Sequence, residues 1–140
     1  MPRPSAVLET NILVSAHLRA EGLERIVLDL ALSRRIQLFY SAAVFKEYEE
    51  VLKRPRFHID PAKLAESLRL IRAAGKRVVP RRQLSAALDP DDNIFIECAE
   101  AAGARYLVTG NKRHFPDVWG PTRIVNAREL LSAIFDEIKK

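Results

Sequence analysis

Apolar positions along the chain keep two periods, and the periods alternate. Ala6-Val7-Leu8 is a short apolar run that stops on Glu9, and the polar pair Thr10-Asn11 leads into Ile12, Leu13 and Val14. This reads as a buried strand followed by a helix. In the plainest reading Glu9 only ends the strand and Thr10 caps the helix. Leu23, Ile26, Val27, Leu30 and Ala31 fall at helical spacing. That segment is predicted to end near Arg34-Arg35, where cations suit the negative end of the helix dipole. Residues 36–40 read as a strand, and Ser41 as the N-cap of a helix that buries Val44, Phe45, Tyr48, Val51 and Leu52 before Pro55 closes it.

The second half repeats the alternation. Asp60-Pro61 is a start signal, a cap followed by proline at the first helical position. Leu64, Leu68 and Ile71 continue that helix, and Gly75 stops it. Residues 76–79 read as a strand and residues 80–88 as a loop. Asp89-Pro90-Asp91-Asp92 opens a helix with Ile94, Phe95, Cys98, Ala99 and Ala102 on its apolar face, ended by Gly103. Residues 106–108 form a buried strand, broken by Thr109-Gly110-Asn111, and residues 122–125 form the last one. Asn126 and Glu129 have capping-box spacing for a final helix lined by Leu130, Leu131, Ile134, Phe135 and Ile138, with Lys139-Lys140 expected to fray. Strands alternating with helices predict a mainly parallel sheet covered on both faces.

The 140 residues suit one domain, 1–140, large enough for a core without staples. No apolar run is long enough to cross a bilayer, so no membrane partner is expected. Residues 1–5 lack the apolar stretch of a signal peptide, and the lone Cys98 has no partner for an internal disulfide. A cytoplasmic location is the default expectation. The net charge of +5 favours polyanions but is spread along the chain, so a nucleic-acid surface would have to be assembled by folding. Local basic clusters fall at Lys53, Arg54 and Arg56, at Lys76, Arg77, Arg81 and Arg82, and at Lys112, Arg113 and His114. Each also reads as an ordinary solvated face. Lys112 and Arg113 are candidate phosphate contacts.

In an open parallel sheet, ligands sit outside the carboxyl ends of the strands. Glu9 ends the first strand, Glu47 lies in the helix after the second, Asp92 is in the first turn of the helix that Asp89-Pro90 opens, and Asn111 follows the strand at 106–108, so one edge can collect three carboxylates and an amide. Like charges repel and raise one another's pKa, so unpaired carboxylates do not gather for stability. They gather around hard cations such as Mg²⁺, which can activate water against a phosphodiester. Each residue also has a plain reading. Glu47 and Glu49 lie equally far round opposite flanks of their helix, and periodicity does not choose between them. Asp92 suits a helix N-terminus without any ligand, and Asn111 can cap a turn.

Four segments together resemble the PIN-domain family, close to the VapC-like ribonuclease toxins of bacterial toxin–antitoxin systems. They are residues 7–15, residues 41–52 with the internal Glu47, Asp89-Pro90-Asp91-Asp92-Asn93, and residues 107–116. The resemblance implies a three-layer α/β/α sandwich with a mainly parallel sheet, and an acidic pocket that binds Mg²⁺ or Mn²⁺ and cuts RNA. By position, Glu9, Glu47 and Asp92 match the catalytic, metal-binding acids. Asn11 and Thr109 match supporting polar residues. The family's first acid is normally aspartate, where this chain has Glu9, and the fourth is often aspartate, where it has Asn111. Three ionised carboxylates around one Mg²⁺ leave −1, so the expectation is one protein-held ion and any second arriving with the scissile phosphate. Asp92 is the candidate base that orients the water. The resemblance also implies a homodimer and a protein antitoxin. The rival expectation is a PIN-like RNA- or protein-binding module with weak or lost cleavage.

Overall fold

The computed structural model describes residues 3–139, with side chains through Asp136. Expectations for Ile138 and for the fraying of Lys139-Lys140 lie outside what it describes. Six strands form one sheet: β1 (Ser5–Leu8), β2 (Gln37–Tyr40), β3 (Lys76–Arg77), β4 (Tyr106–Val108), β5 (Val118–Trp119) and β6 (Thr122–Val125). Six α-helices flank it: α1 (Thr10–Leu18), α2 (Leu23–Leu32), α3 (Ala42–Leu52), α4 (Pro61–Ala74), α5 (Asn93–Ala102) and α6 (Ala127–Lys139). The spatial order is β3-β2-β1-β4-β6-β5, parallel throughout except for the antiparallel β5–β6 pair.

Successive side chains of a strand point to opposite faces of the sheet. Ala6, Val7 and Leu8 are all fully buried, as are Leu107 and Val108, with Tyr106 at 1 % exposure. Both faces of β1 and β4 are therefore covered, which is the expected α/β/α layering. The chain winds outward from β1 through β2 to β3, then returns to the other side of β1 as β4. That reversal opens a crevice beyond the carboxyl ends of β1 and β4, where Leu8 stands in register with Val108.

Most predicted helix signals are realised. Ser41 accepts from the Val44 amide at 3.2 Å, and Asp60 from the Ala62 amide at 2.9 Å. Asn126 and Glu129 exchange reciprocal bonds at 2.9 and 2.8 Å, a complete capping box.

Five details depart from the expectations. Thr10 is not the cap of α1: Glu9 is, with extended backbone and its own carboxylate accepting from the Asn11 amide. Helix α2 stops at Leu32, short of the arginines, and Arg34 takes a left-handed φ of 65° as the chain turns into β2. Strand β3 is two residues long rather than four, because pairing with β2 runs out at Tyr40 and Pro80 has no amide to extend it. Asp89-Pro90 opens a 3-10 turn, Pro90–Asp92, and the α-helix proper begins at Asn93. Strand β5 lies in what reads as a loop. It folds back on β6 through Gly120, whose φ of 57° suits a residue without Cβ.

Candidate active site

Four chain segments meet at the crevice between β1 and β4. Glu9 sits at the end of β1 with 4 % exposure, and its amide donates to Val108 O at 2.9 Å. Both of its carboxylate oxygens are occupied. Oε2 accepts from the Asn11 amide at 2.7 Å, and Oε1 accepts from the Thr109 hydroxyl at 3.0 Å. The longer glutamate arm is thus folded back over the first turn of α1 and across to β4. Thr109 is fully buried at the end of β4, and its oxygen also accepts from the Asn111 amide.

Glu47 comes from α3. Its Oε2 accepts a short hydrogen bond from the Thr10 hydroxyl. The next residue, Tyr48, is fully buried and donates from its hydroxyl to Leu8 O at 2.5 Å. That bond ties α3 to the last residue of β1 and sets the Glu47 carboxylate beside Thr10. Glu49 instead lines a cavity with Phe45 and Lys53 on another face of α3. Glu50 is exposed, 3.9 Å from Lys46.

Asp92 ends the 3-10 turn before α5, its side chain 19 % exposed, with His114 Nδ1 3.5 Å from its Oδ2. The turn is anchored on both sides. Asp89 accepts from the Asp91 amide at 3.0 Å. Buried Asn93 accepts from the amides of Ala86 and Ala87 at 2.9 and 2.8 Å, holding the 80–88 loop against α5.

Burial pushes Glu9 above the ordinary carboxylate range, opposed by its bonds to Asn11 and Thr109 and reinforced by the charges of Asp92 and Glu47. Glu47 is raised by burial and by Asp92 and Asp91, and lowered by the Thr10 bond and the Arg54 charge. Asp92 is raised by burial and by Asp89 and Asp91, and lowered by His114. Three acids from separate elements therefore sense one shared environment. Among the described residues, however, no three His, Cys, Asp or Glu side chains stand close enough to hold one metal ion as placed. Each acid leans on its own partner: Glu9 on Thr109, Glu47 on Thr10, Asp92 on His114.

The other candidates divide. Asn11 contributes its amide to Glu9, while its side chain is at the surface. Asn111 is exposed and reaches the site through its amide bond to Thr109. Lys112 is engaged by Glu129, its Nζ 2.9 and 3.0 Å from the two carboxylate oxygens, whereas Arg113 is exposed. The sequence reading missed Thr10, Tyr48, Asn93 and His114 as positioning groups. The only sequence signal for Thr10 is the polar pair after Glu9, which has the form of an ordinary helix cap.

Comparison with the curated proteins finds no match. The PIN domain family model matches residues 5–113, a span that takes in β1, α3, the Asp92 turn and the end of β4. The chain belongs to the PIN domain family.

Proposed function

We propose that this protein is a metal-dependent endoribonuclease, the toxin of a toxin–antitoxin pair, that hydrolyses RNA phosphodiesters with Glu9, Glu47 and Asp92 as its acidic site. PIN domains are a nuclease-type fold and typically use divalent metals. The observation that carries the reading is that Glu9, at the strand-order reversal of the sheet, and Glu47, held beside Thr10 of the following turn, are withdrawn from water near Asp92, burial being the main cause that raises all three acids. A fold that keeps one carboxylate buried and two more partly buried nearby gains little stability from them.

The donor set fits a hard divalent cation in kind, being all oxygen. Mg²⁺ is commonly held by one or two carboxylates plus waters, so three direct protein ligands are not required. Glu9 and Asp92, with Glu47 beside them, would hold it. A bound divalent ion supplies charge at the phosphate and a water of lowered pKa. Thr109 and Thr10 fix the Glu9 and Glu47 carboxylates from behind. Asp92 is the acid we assign to orient a water, since its side chain reaches solvent and has His114 within 3.5 Å. Asn11 and Asn111 support the pocket through their amides. The toxin role, a protein antitoxin, a homodimer and a cytoplasmic setting rest on the likeness to VapC-like proteins. No helix among the described residues is long and apolar enough to cross a membrane.

One observation favours a second reading, a PIN-like RNA- or protein-binding module with weak cleavage. Both Glu9 oxygens already accept protein donors, and an amide stands at Asn111. The deciding experiment is cleavage of a mixed-sequence RNA with Mg²⁺, with Mn²⁺ and with chelator, wild type beside Asp92→Asn. Metal-dependent cutting that falls at least about 100-fold in the variant is expected, since even groups behind metal ligands cost about 10–100-fold. Equal inertness of both proteins, beside an active control nuclease, moves the assignment to the binding module.

A further inference from the structure

A groove of about 470 Å³ runs from Glu47 between the end of α3 and the turn that opens α5. Helix α3 lines one wall with Ala43, Lys46, Glu47, Glu50 and Val51, continued by Arg54, and Pro90, Asp91 and Ile94 form the other. Its volume is within the usual range of ligand pockets, about 300–1,000 Å³. Several surface cations are matched by an acid of the protein: Arg25 by Asp29, Arg69 by Glu66, Arg82 by Glu100 and Lys112 by Glu129, and in this groove Lys46 lies 3.9 Å from Glu50. Arg54 is exposed, and among the described residues its guanidinium has no hydrogen-bond or ion-pair partner. It is nonetheless near enough to Glu47 for its charge to favour the ionised carboxylate.

We propose that Arg54 is an RNA-phosphate contact, and that the groove between α3 and the Asp92 turn is the path by which the strand reaches the acidic site. The inference deepens the nuclease reading and rests on it for the identity of the ligand. The chemistry follows from the residue types. A guanidinium presents a planar fork of donors that matches two phosphate oxygens, and it keeps its charge at every working pH. Acids line the same groove at Glu47, Glu50 and Asp91, and Lys46 lies 3.9 Å from Glu50, so a polyanion entering there needs the further fixed positive charge that Arg54 carries. The apolar wall residues, Ala43, Val51, Pro90 and Ile94, offer contact to a sugar or base face without an aromatic platform. The groove should therefore take RNA with little sequence preference at this position. Of the basic run Lys53, Arg54 and Arg56, only Arg54 lines this groove.

The test compares wild type with Arg54→Ala, Arg54→Lys and a control, Arg35→Ala. Arg35 precedes β2, at the amino ends of the parallel strands, so its loss removes the same charge from the opposite edge of the sheet. Two readouts are used: anisotropy of a labelled single-stranded RNA in chelator, and steady-state cleavage with Mg²⁺. Arg54→Ala should weaken binding about tenfold at low salt and make the salt dependence shallower by about 0.7 in log–log slope. It should raise KM more than it lowers kcat. Arg54→Lys should restore most of the affinity as a point charge, and Arg35→Ala should match wild type. If wild type binds or cuts RNA and Arg54→Ala behaves like Arg35→Ala in both readouts, the strand path is overturned and the nuclease reading survives. If wild type neither binds nor cuts, both fall. Binding that depends on Arg54 without any cutting supports the path and favours the binding-module reading.

Discussion

The Thr109 hydroxyl donates to Glu9 Oε1 at 3.0 Å, joining two residues 100 positions apart at the ends of adjacent strands. The same oxygen accepts from the Asn111 amide at 3.0 Å. One buried hydroxyl thus fixes the acid on β1, closes β4 and starts the loop that carries Lys112 to His114.

Thr109→Val keeps the shape and removes both bonds. A buried carboxylate oxygen and a backbone amide each lose a partner, and leaving such groups unsatisfied costs about 1–3 kcal/mol. Denaturant unfolding should show a loss of that size, with the Glu9 carboxyl pushed further up because one stabilising bond is gone. An unchanged midpoint would mean that water replaces the hydroxyl and that Thr109 does not hold the site.

How much of this was legible beforehand depended on whether the signal was local. Ser41, Asp60 and the Asn126/Glu129 box announce their helices because a cap bonds within a few residues of itself. Thr109 is named in the sequence only through the family resemblance; its bond to Glu9 depends on β4 lying beside β1, a strand order that alternation does not encode. Thr10 with Glu47, and Tyr48 with Leu8 O, span 37 and 40 residues and depend on how α3 docks. No period encodes that docking, and hydroxyl donors beside carboxylates look like ordinary caps. Strand β5 was invisible because two residues cannot show a period of two.

The raised acids give a pH dependence with a definite sign. A carboxyl whose folded-state pKa lies above its unfolded value binds its proton more tightly when folded. Its contribution to stability is complete below the ordinary value of 4.5 for Glu9 and Glu47, and is lost as pH rises through the raised folded value. A divalent cation offsets the repulsion that appears there. The melting temperature of wild type should therefore rise with Mg²⁺ or Mn²⁺ by more at about pH 8 than at about pH 5. Glu9→Gln should lose most of that gain. An equal gain at both pH values, or an undiminished gain in Glu9→Gln, would place ion binding away from these carboxylates.

A second acid titrates the other way. Glu100 accepts from Arg82 Nε and Nη2 at 3.1 and 2.8 Å and from Trp119 Nε1 at 3.0 Å, joining α5 to the 80–88 region and to β5. The Arg82 guanidinium, helped by the indole, lowers its pKa to about 2. A depressed folded-state value means that the stabilisation is present above the ordinary 4.5 and lost as pH falls toward about 2. Trp119 is the only tryptophan, so its emission reports the event directly. Acidification through this window should shift the emission of wild type. Glu100→Gln, which keeps an acceptor but has no proton to gain, should lack that step. An identical acid transition in the variant would assign it to another group.

Cys98 supplies a probe of the helix behind the site. Its side chain is fully buried on α5, and burial pushes the thiol up to about 12. Only the thiolate attacks a disulfide reagent, so the native protein should be inert at neutral pH and should release one thiol equivalent on unfolding. Reaction in the native state requires α5 to open, and α5 begins one residue after Asp92. Asn93, in the first turn of the same helix, holds the 80–88 loop. Slow labelling therefore measures how firmly the Asp92 turn is held. Asn93→Ala, which frees the loop amides of Ala86 and Ala87, should speed it about 5- to 150-fold for a lost stabilisation of about 1–3 kcal/mol. Unchanged labelling in Asn93→Ala would show that α5 is secured by its core packing alone. Labelling of wild type within seconds would show that the Asp92 turn is not rigid, and that the acid site must be assembled by its ligand.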